Sequence, residues 1–262
     1  MRALIVTLSA LGMMLGASAA KAEGRVALVV GNGAYKNLPR LSNAPASGKA
    51  MAKLLRSAGF EVIEGIDLSR NDMTRRLLEF GDRARGADIA VFYFAGQGVD
   101  VGGSEFLLPI DANVKSRMDV TLGNAVNADV AIDQTLSEAK VKLVFLDASR
   151  NDPFAATDKK APASVSVKSD PAEMKSPDNS LIVFATGPGQ AAPDGPQGSI
   201  RPLTRALIAN IAAPGVEIED AMTKVRAQVA EDTKGQQMSW AHSNNLAGRV
   251  YLSPASAPAA SK

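Results

Sequence analysis

The stretch Val141-Lys142-Leu143-Val144-Phe145-Leu146-Asp147-Ala148-Ser149-Arg150 decides the fold. Its first six residues are apolar apart from Lys142, and the run turns polar at Asp147. A short apolar run of this kind suits a strand buried on both faces, as in a parallel sheet covered by helices. Residues 87–94 (ADIAVFYF) form a second such run, stopped by Gly96. Residues 25–30 (RVALVV) form a third and end in Gly31-Asn32-Gly33. Residues 60–66 and 181–185 (LIVFA) give two more.

Between these runs the period changes to that of helices. Ala50, Met51, Leu54, Leu55 and Ala58 share one helical face, closed by Gly59. Met73, Leu77, Phe80 and Ala84 share another. Residues 128–139, 202–211 and 217–231 read as three further helices, the last with Ile218, Met222, Val225 and Val229 on one face. Residues 98–108 alternate around Gly102-Gly103, which predicts a hairpin. Residues 250–252 are expected to form a last strand. Strands alternating with helices predict a three-layer α/β sandwich, with a mainly parallel central sheet of about six strands and helices on both faces. Ligands of such sheets bind beyond the carboxyl ends of the strands. That directs attention to residues 31–43, 95–99, 147–154 and 186–195.

Composition narrows the chemistry. The chain has 262 residues, no cysteine and one histidine, His242. Disulfides, thiolate metal sites, cysteine nucleophiles and clustered-histidine metal sites are therefore excluded. Met1-Arg2, an uncharged apolar run over 3–17 and the small residues Ala20-Lys21-Ala22 predict a secretory signal peptide over 1–22, cleaved after Ala22, with Ala17-Ser18-Ala19 as the alternative site. The expected destination is the periplasm or the exterior. Removal of the segment takes away Arg2 and Lys21 and no acid, leaving 27 basic and 27 acidic residues. That balance gives no reason to expect nucleic acid or a membrane surface as partner. One domain is expected over 23–252, with a mobile loop over 155–179 and a disordered tail over 253–262. The sequence does not specify an oligomeric state.

Three motifs fail on inspection. Gly31-x-Gly33 follows a strand as a dinucleotide fingerprint would, but Lys36 stands where the third glycine belongs. Ser47-Gly48-Lys49 lacks the leading glycine of a phosphate loop, and Ala50 replaces its Mg-binding hydroxyl. Arg75, Arg76, Arg83 and Arg85 are interspersed with Asp72, Glu79 and Asp82 and read as a solvated helix face.

Two strand ends carry the specific signal. Phe92-Tyr93-Phe94-Ala95-Gly96-Gln97-Gly98 closes one, and Leu146-Asp147-Ala148-Ser149-Arg150-Asn151-Asp152-Pro153-Phe154 follows the other. With Ala27–Asn32, Tyr35, residues 106–112 (FLLPIDA) and residues 185–190 (ATGPGQ), these motifs resemble the caspase-like peptidases, in particular their bacterial, metacaspase-related branch. The resemblance runs from about Gly24 to Leu252. It implies a Y-F-A-G-H-G motif whose His position is Gln97, and an L-D-A-C-R-N-x-P-F motif whose Cys position is Ser149. A Gln amide does not titrate near neutral pH and cannot act as general base. A Ser hydroxyl without a base is a poor nucleophile.

The same resemblance assigns the remaining site. Gly98 and the Ser149 backbone N–H would hold an oxyanion. Asp147 would be one acid of a pocket for basic side chains, or alternatively a strand-end residue with local hydrogen bonds. The second acid's position is Ser47. Thr186, Gly187 and Pro188 belong to the stretch that pairs with extended substrate. No cofactor is expected and no ligand cluster calls for a metal; calcium stays open, since some members of the family respond to it. The reading is a secreted, non-catalytic module that binds a peptide or protein in the former substrate cleft. The alternative is a serine hydrolase built on Ser149, for which His242 is the available imidazole.

Overall fold

The computed structural model describes residues 24–148, 176–187 and 189–253. The expectations for residues 1–22, for Ser149 and Pro188, for most of loop 155–179 and for the tail after 253 fall outside the described residues. In chain order the elements are β1 (Arg25–Gly31), α1 (Ala44–Ser57), β2 (Glu61–Ile66), α2 (Arg70–Ala84), β3 (Ile89–Gly96), β4 (Gly98–Val101) and β5 (Ser104–Leu107). Then come α3 (Arg117–Asp119), a π turn (Val120–Asn124), β6 (Val126–Asn127), α4 (Ala128–Leu136), β7 (Val141–Ala148), β8 (Ser180–Phe184), α5 (Pro202–Asn210), α6 (Ile218–Asp232) and β9 (Trp240–Asn244).

Six strands form one sheet in the order β2-β1-β3-β7-β8-β9. The first five are parallel, and β9 runs antiparallel to β8. Alternation along each strand splits the core into two layers. Ala27, Val29, Val91, Tyr93, Leu143 and Phe145 pack with α1, α5 and α6. Val26, Leu28, Val30, Phe92, Phe94, Val144 and Leu146 pack with α2 and α4. Both faces of the central strands are thus covered, which is why their sequences are apolar without a period of two. β4, β5 and β6 form a separate antiparallel sheet, with β5 in the middle. The expected hairpin is its β4–β5 pair, turning through Gly102 and Gly103, both at positive φ.

One expectation needs correction. Residues 250–252 form no strand; Tyr251 makes an isolated bridge to Glu217. The last strand is β9, WAHSN, which pairs with the outer edge of β8. Its residues are exposed or half-buried, so no hydrophobic pattern marks them. His242 consequently belongs to an edge strand, opposite Ile182.

The glycines of the false dinucleotide motif have a packing role. A Cβ on Gly31 would stand 2.8 Å from the Ala44 carbonyl oxygen, and one on Gly33 would stand 2.2 Å from the Leu41 carbonyl and 2.6 Å from Pro45 Cδ. These close approaches seat the start of α1 against the end of β1. Gly33→Ala is expected to cost about 1–3 kcal/mol, as overpacking usually does. Urea unfolding checks this, and a change under about 0.5 kcal/mol, the usual range for surface substitutions, would refute the packing argument.

Candidate functional site

The carboxyl ends of β1, β3, β7 and β8 lie along one edge of the sheet. Strand register brings Gly31, Ala95 and Asp147 side by side, and sets Gly96 beside Ala148. Gln97 and Ser149 are the next residues of their segments; Ser149 lies outside the described residues.

Gln97 is fixed through its backbone. Its N–H donates to the Tyr35 hydroxyl at 2.7 Å, and its carbonyl accepts from Leu108 N–H at 3.0 Å. Tyr35 in turn donates to the Leu108 carbonyl at 3.1 Å. Burial pushes the Tyr35 phenol far above its ordinary pKa, so it stays a neutral donor. The Gln97 side chain donates through Nε2 to the Pro39 carbonyl at 3.2 Å. A Cβ on Gly96 would stand 2.7 Å from the Tyr35 hydroxyl, so the bare backbone there makes room for this anchor.

Gly98 begins β4, at the edge of the small sheet. The bond from Leu108 N–H to the Gln97 carbonyl makes residues 97 and 108 a hydrogen-bonded pair of the hairpin. In an antiparallel ladder such pairs alternate, so Gly98 and Leu107 form the other kind. The Gly98 N–H therefore faces away from β5, toward the edge of β4 that no described strand pairs. It is a buried backbone donor not used by the β4–β5 ladder, of the kind a carbonyl-binding site needs.

Asp147 is fully buried, and both of its oxygens are engaged. Oδ1 accepts from Arg201 Nε at 3.0 Å. Oδ2 accepts from Thr204 N–H at 3.2 Å and from Thr204 Oγ1 at 2.5 Å. The Thr204 hydroxyl uses its single hydrogen on Asp147, so the Tyr93 hydroxyl donates to Thr204 Oγ1, at 2.6 Å. Burial, then the charge of Asp147, push the Tyr93 phenol well up. Thr204 lies in the first turn of α5, whose cap position is held by Arg201 with no capping side chain of its own. Asp147 supplies the missing acceptor from another part of the chain, where the helix dipole also favours an anion.

Arg201 is among the largest fully buried side chains, with 1% of it exposed. Besides Asp147 it donates from a terminal nitrogen to Asp194 Oδ1 at 2.9 Å. Burial opposes its charge, but Asp147 and then Asp194 more than offset this and hold its pKa above the ordinary value. Its backbone N–H donates to the buried Ser47 Oγ at 3.0 Å. Asn43 ties the same loop down, donating to the carbonyls of Asp194 at 2.8 Å and Pro196 at 2.7 Å, and accepting from Gly198 N–H at 2.9 Å.

Register and packing thus unite Asp147 and Ser47 around Arg201. Thr186 is 1% exposed, and its hydroxyl donates to the Gln190 carbonyl at 3.1 Å. Gln190 N–H donates back to the Gly187 carbonyl at 3.3 Å. Pro188 lies outside the described residues. His242 stands apart. β9 is two strands from β7, and Val144, level with Ile182, precedes Ala148 by four residues. The His242 and Ala148 backbones are therefore about 16 Å apart, taking roughly 4.8 Å between strands and 3.3 Å per residue. Arg201, Asp194, Thr204 and Asn43 were not predicted; an arginine at a helix cap, where Ser, Thr, Asp or Asn is usual, was the available signal. An apolar groove of about 620 Å³ lies elsewhere, between α2 and α4, and none of the site residues lines it. No group of three or more His, Asp or Glu among the described residues is placed to hold a metal ion.

The caspase domain family model matches residues 24–251. The fold resembles that of caspase-1 from Spodoptera frugiperda, with a TM-score of 0.63 and 16% identity over 89% of this chain and 91% of that one. It also resembles the Drosophila initiator caspase Dronc, with a TM-score of 0.57 and 15% identity over 87% of this chain and 82% of that one. Human mucosa-associated lymphoid tissue lymphoma translocation protein 1 is 31% identical over 91 residues, 35% of this chain. Its mouse homologue matches to the same extent. The matched region spans 11% of the length of these two relatives.

Proposed function

The chain belongs to the caspase domain family, and from that premise we propose that it is a non-catalytic member that binds a peptide or protein ligand in the former substrate cleft. One observation carries the reading: a chain of this cysteine-peptidase family has no cysteine, and an amide, Gln97, occupies the strand end where the family motif has histidine. Neither a thiolate nor an adjacent base is then available, and a carbonyl can be held but not attacked efficiently. The Gly98 N–H, left unused by the β4–β5 ladder, supports retained binding, since it depends on the backbone alone.

The test is isothermal titration of the mature protein with a degenerate peptide library, followed by mass analysis of the recovered peptides. Saturable binding with the peptides intact is expected. Absence of binding, or recovery of fragments, would refute the reading. The serine hydrolase alternative has about 16 Å between the His242 and Ala148 backbones against it, whereas a general base needs direct or one-water contact. A fluorophosphonate probe is therefore expected to leave Ser149 unlabelled, and labelling would revive the alternative. Export rests on the leader pattern over 1–22. N-terminal sequencing of exported protein is expected to begin at Glu23, or at Ala20 for the alternative cleavage site; an intact Met1 would contradict export.

A further inference from the structure

We propose that Arg201 is a resident occupant of the acidic subsite beside the cleft, so that the cleft refuses lysine and arginine side chains and accepts uncharged ones. This rests on the peptide-cleft reading above and names the ligand class it would select.

Asp194 already pairs with Arg201, which leaves Asp147, two residues before position 149, as the other carboxylate among the described residues that a cationic ligand side chain could meet here. Both oxygens of that carboxylate are already in use, one by Arg201 Nε and the other by Thr204. The internal guanidinium is clamped at both ends. Ser47 holds its backbone N–H, Asp147 and Asp194 hold its side chain, and Pro202 fixes the start of the following helix. A ligand guanidinium would have to displace this group, and tethering gives the resident an effective concentration in the millimolar range or above. The resident has also lost its rotamer freedom on folding, a cost the incoming side chain would still incur. Acidic side chains gain nothing from the arrangement, since two carboxylates already face the one guanidinium. An uncharged side chain meets neither penalty.

Removing the resident should convert the site into one for its ligand. Arg201→Ala is expected to unfold at a lower temperature than wild type and to be rescued by low-millimolar guanidinium chloride. Equal concentrations of sodium chloride or urea should not rescue it, and wild type should not respond. Adding Asp147→Asn to that variant should abolish the rescue. A folded Arg201→Ala protein without guanidinium rescue would overturn the proposal. Should that variant fail to fold, the wild type decides. With 15N-labelled arginine, its Arg201 Nε–H should exchange slowly with solvent and stay unmoved by peptides ending in Arg or Lys; fast exchange or displacement overturns the proposal. Peptides ending in Arg should also bind no more tightly than those ending in Ala, and a tenfold preference for Arg would refute it. If wild type bound no peptide at all while guanidinium still rescued Arg201→Ala, the peptide-cleft reading would fail and the assignment of Arg201 would stand.

Discussion

Asp147→Ala lowers the stability of the domain by about 3–5 kcal/mol, the range for breaking a buried ion pair on one side only. The size follows from what is stranded. The Arg201 side chain, 1% exposed, would keep only Asp194, which is itself 21% exposed. Thr204 would lose the acceptor of both its N–H and its hydroxyl, and the first turn of α5 would lose its cap. Against a typical total of roughly 5–15 kcal/mol, this is a large fraction. For a domain of this size it corresponds to a fall of roughly 6–20 °C in Tm. Adding Arg201→Leu to Asp147→Ala should return a large part of the loss, because a buried pair replaced by apolar groups is often neutral. Thermal unfolding of the two variants checks both statements. A loss under about 1 kcal/mol for Asp147→Ala, the level of a surface pair, would mean that the carboxylate is not the support of α5 described above.

The second large effect concerns chemistry. Gln97→His combined with Ser149→Cys restores a base and a nucleophile to the positions where the family motif has them. A general base contributes on the order of 10²–10⁴-fold, and a thiol far exceeds an unassisted hydroxyl as nucleophile. A gain on the order of 10³-fold or more over wild type is therefore expected for peptides with a small uncharged residue at the cleavage point. Peptides cut after Lys or Arg should show no gain until Arg201→Ala is added. A fluorogenic peptide series measures both. Strong cleavage after Arg by the double variant would contradict the specificity argument, and silence toward every peptide would show that the cleft no longer holds a scissile bond.

Sequence patterns revealed the central layer and concealed its margins. β1, β3 and β7 are covered on both faces, so burial imposed continuous apolar runs that stand out in the chain. β9 is an edge strand held by main-chain hydrogen bonds to β8, and main-chain bonds leave no trace in residue type. The isolated Val250 and Leu252 are buried like strand residues but reach the core from an irregular segment. In the site, Gln97, Gly98 and Asp147 were legible because short motifs follow strand ends. Arg201 was not, because its partner Asp147 lies 54 residues earlier and an unusual residue at a helix cap does not say what it meets. The acidic pair expected of Asp147 and position 47 also changed meaning in three dimensions. Asp147 faces an internal cation, and Ser47 accepts that residue's backbone N–H.

A caspase domain lacking cysteine and a base at residue 97 is expected not to hydrolyse peptide bonds. The direct measurement is mass-spectrometric analysis of a proteome-derived peptide library after long incubation with mature wild-type protein and with its Ser149→Ala variant. The two digests are expected to be indistinguishable from each other and from a no-protein control. A set of cleavages present with wild type and absent with Ser149→Ala would contradict it.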